Sequence, residues 1–90
     1  MKFVWDENKN SGNIKKHGID FNDASAIFVQ PLLIKIDDRR DYQEKRWIAL
    51  GKLRDLVVVV VFTIRADSIR IISIRKANKI ERKIYHESLK

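Results

Sequence analysis

Residues 56–64 hold eight apolar side chains out of nine and carry no charge, Gly or Pro. Their Val and Ile side chains branch at Cβ, are stiff at χ1 and suit a pleated surface. The run is far short of the roughly 20 apolar residues that a membrane helix needs. Bounded by turn signals, it predicts a strand buried on both faces, the central strand of one sheet. Flanking strands must pair with it, and short helices must cover its faces.

Weaker patterns place the other elements. Phe3-Val4-Trp5 is a short apolar lead compatible with an edge strand. Asp6 suits a helix N-cap, with Glu7 in the first turn. The helix runs to His17, where Lys15, Lys16 and His17 suit the negative end of its dipole and Gly18 the left-handed position beyond. Ile14 is nearly its only large apolar residue, so it is expected to dock through Trp5 and Ile14. Asp20-Phe21-Asn22-Asp23 begins a second helix, with Ala24, Ala26, Ile27 and Phe28 on its buried side and Pro31 as its stop. Residues 32–36 form the next strand. Residues 37–41 mix both charges without periodicity and read as an exposed loop. Residues 44–53 alternate, with Arg46, Ile48 and Leu50 pointing one way and Lys45, Trp47 and Ala49 the other. Arg54-Asp55 and Ala66-Asp67 are turns around the central strand, and residues 68–75 form the last strand. Asn78 can cap a final helix, with Glu81 in a capping-box position and Ile80 and Ile84 toward the core. The expected fold is α+β: two N-terminal helices, a four-stranded antiparallel meander sheet and a C-terminal helix, in a single domain over residues 1–90.

The two turns set a register. If each holds two residues, position i of strand 44–53 faces 109−i on the central strand, whose position j faces 133−j on the last one. Thr63 then lies between Arg46 and Arg70 in one cross-strand row, with Arg65 further along the same face and Trp47 beside Phe62 on the other. Arginines so placed repel one another unless an anion sits among them or Asp and Glu neighbours neutralise them. A phosphate backbone fits, because the planar guanidinium binds phosphate through two bonds.

Charge sharpens that reading. The net charge is +7, and residues 65–90 hold eight Lys and Arg against three Asp and Glu. Residues 1–43 are balanced at seven each. A basic C-terminal third on a neutral body suits a polyanion, most simply nucleic acid, or else is a solvated basic face. There is no cysteine, which excludes disulfides and Cys-based metal sites. The first residues turn polar too soon for a secretory signal, so a cytoplasmic protein with no membrane contact is expected.

Several blocks together resemble a known family. They are Trp5-Asp6-Glu7 with Lys9, and Asn13-x-x-Lys16-His17-Gly18-Ile19-x-Phe21 with Ala24. Later come Arg46-Trp47-x-Ala49-Leu50-Gly51, the valine strand, Ile69-Arg70-Ile71-Ile72-Ser73-x-Arg75-Lys76-Ala77, then Glu81-Arg82 and Tyr85. In order and spacing these resemble the BrnT toxins of bacterial type II toxin–antitoxin systems, over nearly the whole chain. Ile74 departs from the pattern, where the family usually has a small residue. The resemblance implies a RelE-like fold, a ribonuclease activity that slows growth, and a cognate antitoxin similar to BrnA. Antitoxins of this kind resemble ribbon–helix–helix proteins, so operator DNA would be met only through the toxin–antitoxin complex.

RNA cleavage without a metal or other cofactor needs a base for the 2′-hydroxyl, a proton for the departing 5′-oxygen and positive charge on the pentavalent phosphate. Arg70 and Arg46 suit the last task, and Arg65, Arg75, Lys76 and Arg82 follow as RNA contacts. His17 suits proton transfer by its ordinary pKa of about 6.5, or simply favours the end of the helix dipole. Tyr85 could stack on a base or relay a proton, or pack at the core edge. Glu44 could act as a base near Arg46, or be a plain strand-end charge. Lys9, Asn13 and Lys16 could bind phosphates from the first helix, or merely solubilise it. A non-catalytic RNA- or DNA-binding module is the alternative, and a protein that only binds a partner chain is a third reading. No Gly-rich phosphate loop, Ser-His-Asp order or dinucleotide fingerprint supports other chemistry.

Overall fold

The central strand is observed as β4, Leu56–Arg65, with residues 57–63 all buried. The computed structural model describes residues 2–89. In chain order the elements are β1 (Lys2–Val4), α1 (Glu7–His17), a 3₁₀ turn (Phe21–Asp23), α2 (Ala24–Phe28), β2 (Leu33–Ile36), β3 (Trp47–Leu53), β4, β5 (Ser68–Lys76) and α3 (Lys79–Ser88). The sheet has five strands in the order β1-β5-β4-β3-β2. It is mixed rather than the expected four-stranded antiparallel meander, because the apolar lead pairs in parallel with β5, Phe3 opposite Ile69 and Val4 opposite Arg70. Three residues are too few to show a strand period.

Alternation along β4 divides the core. Val58, Val60 and Phe62 pack with Phe21, Ile27, Ile71 and Ile74 beneath α1 and α2. Val57 and Val59 pack with Ala77 and Tyr85 of the α3 side, with Ile48 and Leu50 alongside. Helices therefore cover both faces, with α3 over only one end of its face. On the final helix the sequence placed Ile80 and Ile84 inward. Both are exposed, and Tyr85 is the buried anchor of α3. Ala26, expected on the buried side of α2, is also exposed.

The caps form as read. Asp6 accepts from the backbone of Asn8 and Lys9, Gly18 sits at φ 71°, and Asn78 with Glu81 closes a capping box. The docking of α1 differs, because Ile14 is exposed while Asn10 and Asn13 are buried. Asn10 accepts from Phe21 N–H at 2.8 Å and donates to Asp20 at 3.0 Å. Asn13 donates to the carbonyls of Ile19 at 2.9 Å and Ile74 at 2.8 Å, and accepts from Ile74 N–H at 3.2 Å. β1 covers the outer edge of β5 only at residues 68–70, so Asn13 stands in for a strand further along.

Both turns hold two residues. Leu53 pairs with Leu56, Trp47 with Phe62, Arg65 with Ser68 and Thr63 with Arg70. Beyond Phe62 the β5 register slips by one at a bulge, so that Val61 faces Ser73 and Val59 faces Arg75. An extra residue reverses which face the following side chains occupy. Arg70 and Arg75, five apart, would otherwise lie on opposite faces. The bulge puts both on the face of Thr63 and Val59.

Candidate functional site

At the end of that face not covered by α3, side chains continue the sheet register past the last ladder pair. The sum rule of β3 and β4 brings position 44 opposite 65. There, Arg65 Nη2 donates to Glu44 Oε1 at 2.7 Å, with Nε at 3.3 Å from Oε2. That bond holds the Glu44 carboxyl below its usual range, with the charges of Arg70 and Arg46 adding to the effect. Glu44 is thus close to three arginines, and Thr63 lies beneath, directly opposite Arg70. The Thr63 side chain is buried, yet its Oγ1 has no hydrogen-bond partner among the described residues.

Arg46 is carried by the loop that joins β2 to β3. Its guanidinium lies 4.1 Å from the Tyr42 ring centroid, and Arg40 lies 5.5 Å from the same ring. Tyr42 donates its hydroxyl to Asp37 at 3.2 Å. Asp37 also accepts from Arg39 Nε at 2.6 Å and Nη2 at 2.8 Å, and its N–H donates to the Arg46 carbonyl at 2.8 Å. The sequence placed Asp37 in an exposed loop; its side chain is instead only 1% exposed. Tyr42 was not singled out by sequence, since 37, 39, 42 and 46 follow no helix or strand period.

This latch has a pH signature. The Arg39 bond, working against burial, pulls the Asp37 carboxyl from its ordinary 3.8 to about 2. A depressed carboxyl contributes stability above its unfolded pKa and loses it as pH falls through the folded one. Native stability should therefore decline between about pH 4 and pH 2, and Asp37→Asn should flatten that part of the curve. Urea unfolding of both proteins at intervals across that range measures it. Equal slopes would contradict the latch.

The other sequence candidates fall elsewhere. His17 lies near Lys16 and Arg75, and burial, then those two charges, pull its pKa below 6.5. It groups with the far end of β5, not with Arg70; five strand residues at about 3.3 Å each separate Arg70 from Arg75. Arg75 is paired with Glu81 at 2.8 and 2.9 Å, and Arg82 donates to the Ala77 carbonyl at 3.0 Å. Lys9, Lys16 and Lys76 are exposed. Two candidates are corrected. Asn13 is buried and spent on backbone bonds, so it does not face solvent as an RNA contact. Tyr85 is 1% exposed and donates its hydroxyl to the Pro31 carbonyl at 2.9 Å, so it is neither a stacking platform nor a proton relay. Among the described residues no group of three or more His, Cys, Asp and Glu is arranged to hold a metal ion, and no helix is long and apolar enough to cross a membrane.

Comparison of the sequence with protein families finds a match over residues 5–81 to BrnT, the ribonuclease toxin of a type II toxin–antitoxin system. The chain belongs to the BrnT family. The matched span includes Glu44, Arg46, Thr63, Arg65 and Arg70, and also His17 and Arg75. A BrnT toxin acts on RNA and has an antitoxin as its partner. Comparison with curated proteins finds no match.

Proposed function

We propose that the row Arg46–Thr63–Arg70, with Glu44 and Arg65, is where this BrnT-family chain cleaves RNA, as an endonuclease that uses no metal. The observation that carries the reading is the Arg65–Glu44 ion pair beside the register row of Arg46, Thr63 and Arg70, whose buried Thr63 hydroxyl has no partner among the described residues. Arg70 and Arg46 place positive charge where the pentavalent phosphate forms. Glu44, held as a carboxylate at neutral pH, takes the proton of the 2′-hydroxyl. The 2′-oxygen then bonds to phosphorus as the bond to the 5′-oxygen breaks, and water supplies the proton to the departing oxygen. The products are a 2′,3′-cyclic phosphate and a 5′-hydroxyl. The bulge turns Arg75 to the same face, where it is a second contact for the RNA further along β5 with His17 nearby. His17 serves there as a contact and not at the phosphate held by Arg70.

The same resemblance supports a RelE-like toxin of the cytoplasm, held by a BrnA-like ribbon–helix–helix antitoxin. Induction in a bacterial host without antitoxin should arrest growth and create new 5′ ends on cellular mRNA, read by primer extension, and co-expressed antitoxin should reverse both. Arrest without new ends would point to a non-catalytic RNA binder.

Thr63 separates structure from chemistry. Leaving a buried hydroxyl unpartnered costs about 1–3 kcal/mol, and valine has nearly the same shape. Thr63→Val should therefore leave stability unchanged or raise it by about 1 kcal/mol, yet slow RNA cleavage at least tenfold if the hydroxyl binds substrate. Urea unfolding and single-turnover cleavage read the two effects. A stabilised variant with undiminished cleavage would remove Thr63 from the site.

A further inference from the structure

The two edges of the sheet are treated differently. β1 has three residues, and its Phe3 ring packs 5.1 Å from that of Phe28. β2 is exposed throughout, with Leu33 39%, Ile34 47% and Ile36 45% accessible. Its backbone direction is fixed by the bond from Asp37 N–H to the Arg46 carbonyl. In an antiparallel pair, residues alternate in facing their partner strand. Leu33 and Lys35 therefore turn N–H and C=O toward β3, and Ile34 and Ile36 turn theirs outward, to the side that carries no further strand among the described residues. Beside this edge a groove of about 300 Å³ runs between β2, β3 and α3, lined by Leu33, Ile34, Lys35, Ile48, Leu50 and Ile84, with Glu81, itself paired to Arg75, at its wall. Sheet edges are ordinarily guarded by charge, Pro or a bulge; Lys35 is the only such guard on β2.

We propose that the outer edge of β2 is a docking strand for the antitoxin. An extended antitoxin segment pairs with Ile34 and Ile36 as a sixth strand. It places apolar side chains in the groove against Ile48, Leu50 and Ile84, and an acidic side chain beside Lys35. Charge selects this occupant. The chain carries +7, and a second copy pairing edge to edge would set Lys35 near Lys35 and add like charge. An acidic segment does the reverse. RNA has no use for an apolar groove of this kind. The inference rests on membership of a toxin–antitoxin family, not on the assignment of the cleavage site.

Ile34→Pro and Ile36→Pro each delete one outward N–H without touching the ladder to β3, and Pro is tolerated on edge strands. Ile84→Glu places a like charge in the groove. Calorimetric titration of the full chain with its co-encoded antitoxin should show at least tenfold weaker binding for each variant, with unchanged circular dichroism and RNA cleavage. Hydrogen exchange on the unmodified complex gives a readout independent of any variant: the amides of Ile34 and Ile36 should slow on binding. Affinities within twofold of the parent together with unprotected amides would overturn the proposal. So would loss of self-association in the proline variants while antitoxin binding stays intact, which would assign the edge to a second copy.

Discussion

Arg70→Ala should slow RNA cleavage by about 10²–10³-fold, the usual cost of removing one fixed group that stabilises transition-state charge. RNA binding should weaken far less, because Arg46, Arg65, Arg75 and the exposed lysines remain. The fold should be unaffected: Arg70 is half-buried at the open end of the sheet and bonds to no side chain among the described residues. Single-turnover cleavage and equilibrium RNA binding, measured on one oligonucleotide, separate the two. An affinity loss as large as the rate loss would make Arg70 a binding residue. An unchanged rate would move the site away from Thr63.

Asn13→Ala should be the most damaging substitution to stability. It removes three hydrogen bonds and strands the N–H and carbonyl of Ile74 and the carbonyl of Ile19, all in a buried setting. With each stranded group costing about 1–3 kcal/mol, a total loss of about 3–5 kcal/mol is expected. Domains of this size are stable by about 5–15 kcal/mol, so the variant should be close to unfolding at 37 °C. Lys16→Ala on the same helix should change stability by less than about 0.5 kcal/mol. Urea unfolding of the two side by side is the check. A loss below about 1 kcal/mol for Asn13→Ala would mean that water replaces the asparagine and that α1 is held chiefly by Trp5.

Much of the candidate site was legible because two short turns determine a register. Once Arg54-Asp55 and Ala66-Asp67 are two-residue turns, the period of two along a strand places Arg46, Thr63 and Arg70 in a row, and the same rule brings Glu44 to Arg65. The parts that escaped have identifiable causes. The bulge near Ile72 is marked only by the doubled apolar pair Ile71-Ile72 in an otherwise alternating strand, with no Gly beside it. Hydrophobic periodicity searches for apolar docking residues, so it chose Ile14 and passed over Asn10 and Asn13, which hold α1 by hydrogen bonds. On α3, Ile80 and Ile84 have the right spacing, but the larger Tyr85 takes the core position and pushes them outward. The Asp37 latch draws its partners from an irregular loop, where no period exists to read. His17 shows a different limit. Its motif and its ordinary pKa recommended it for proton transfer, but whether it meets Arg70 or Arg75 depends on which end of β5 receives the helix.

In the proposed reaction arginines and one carboxylate cleave RNA without a metal, so the decisive experiment incubates the purified chain with a short RNA in excess EDTA and identifies the product ends by mass spectrometry. Undiminished cleavage is expected, with a 2′,3′-cyclic phosphate on one fragment and a 5′-hydroxyl on the other. Cleavage that stops in EDTA, returns with a divalent cation and leaves a 5′-phosphate would contradict it.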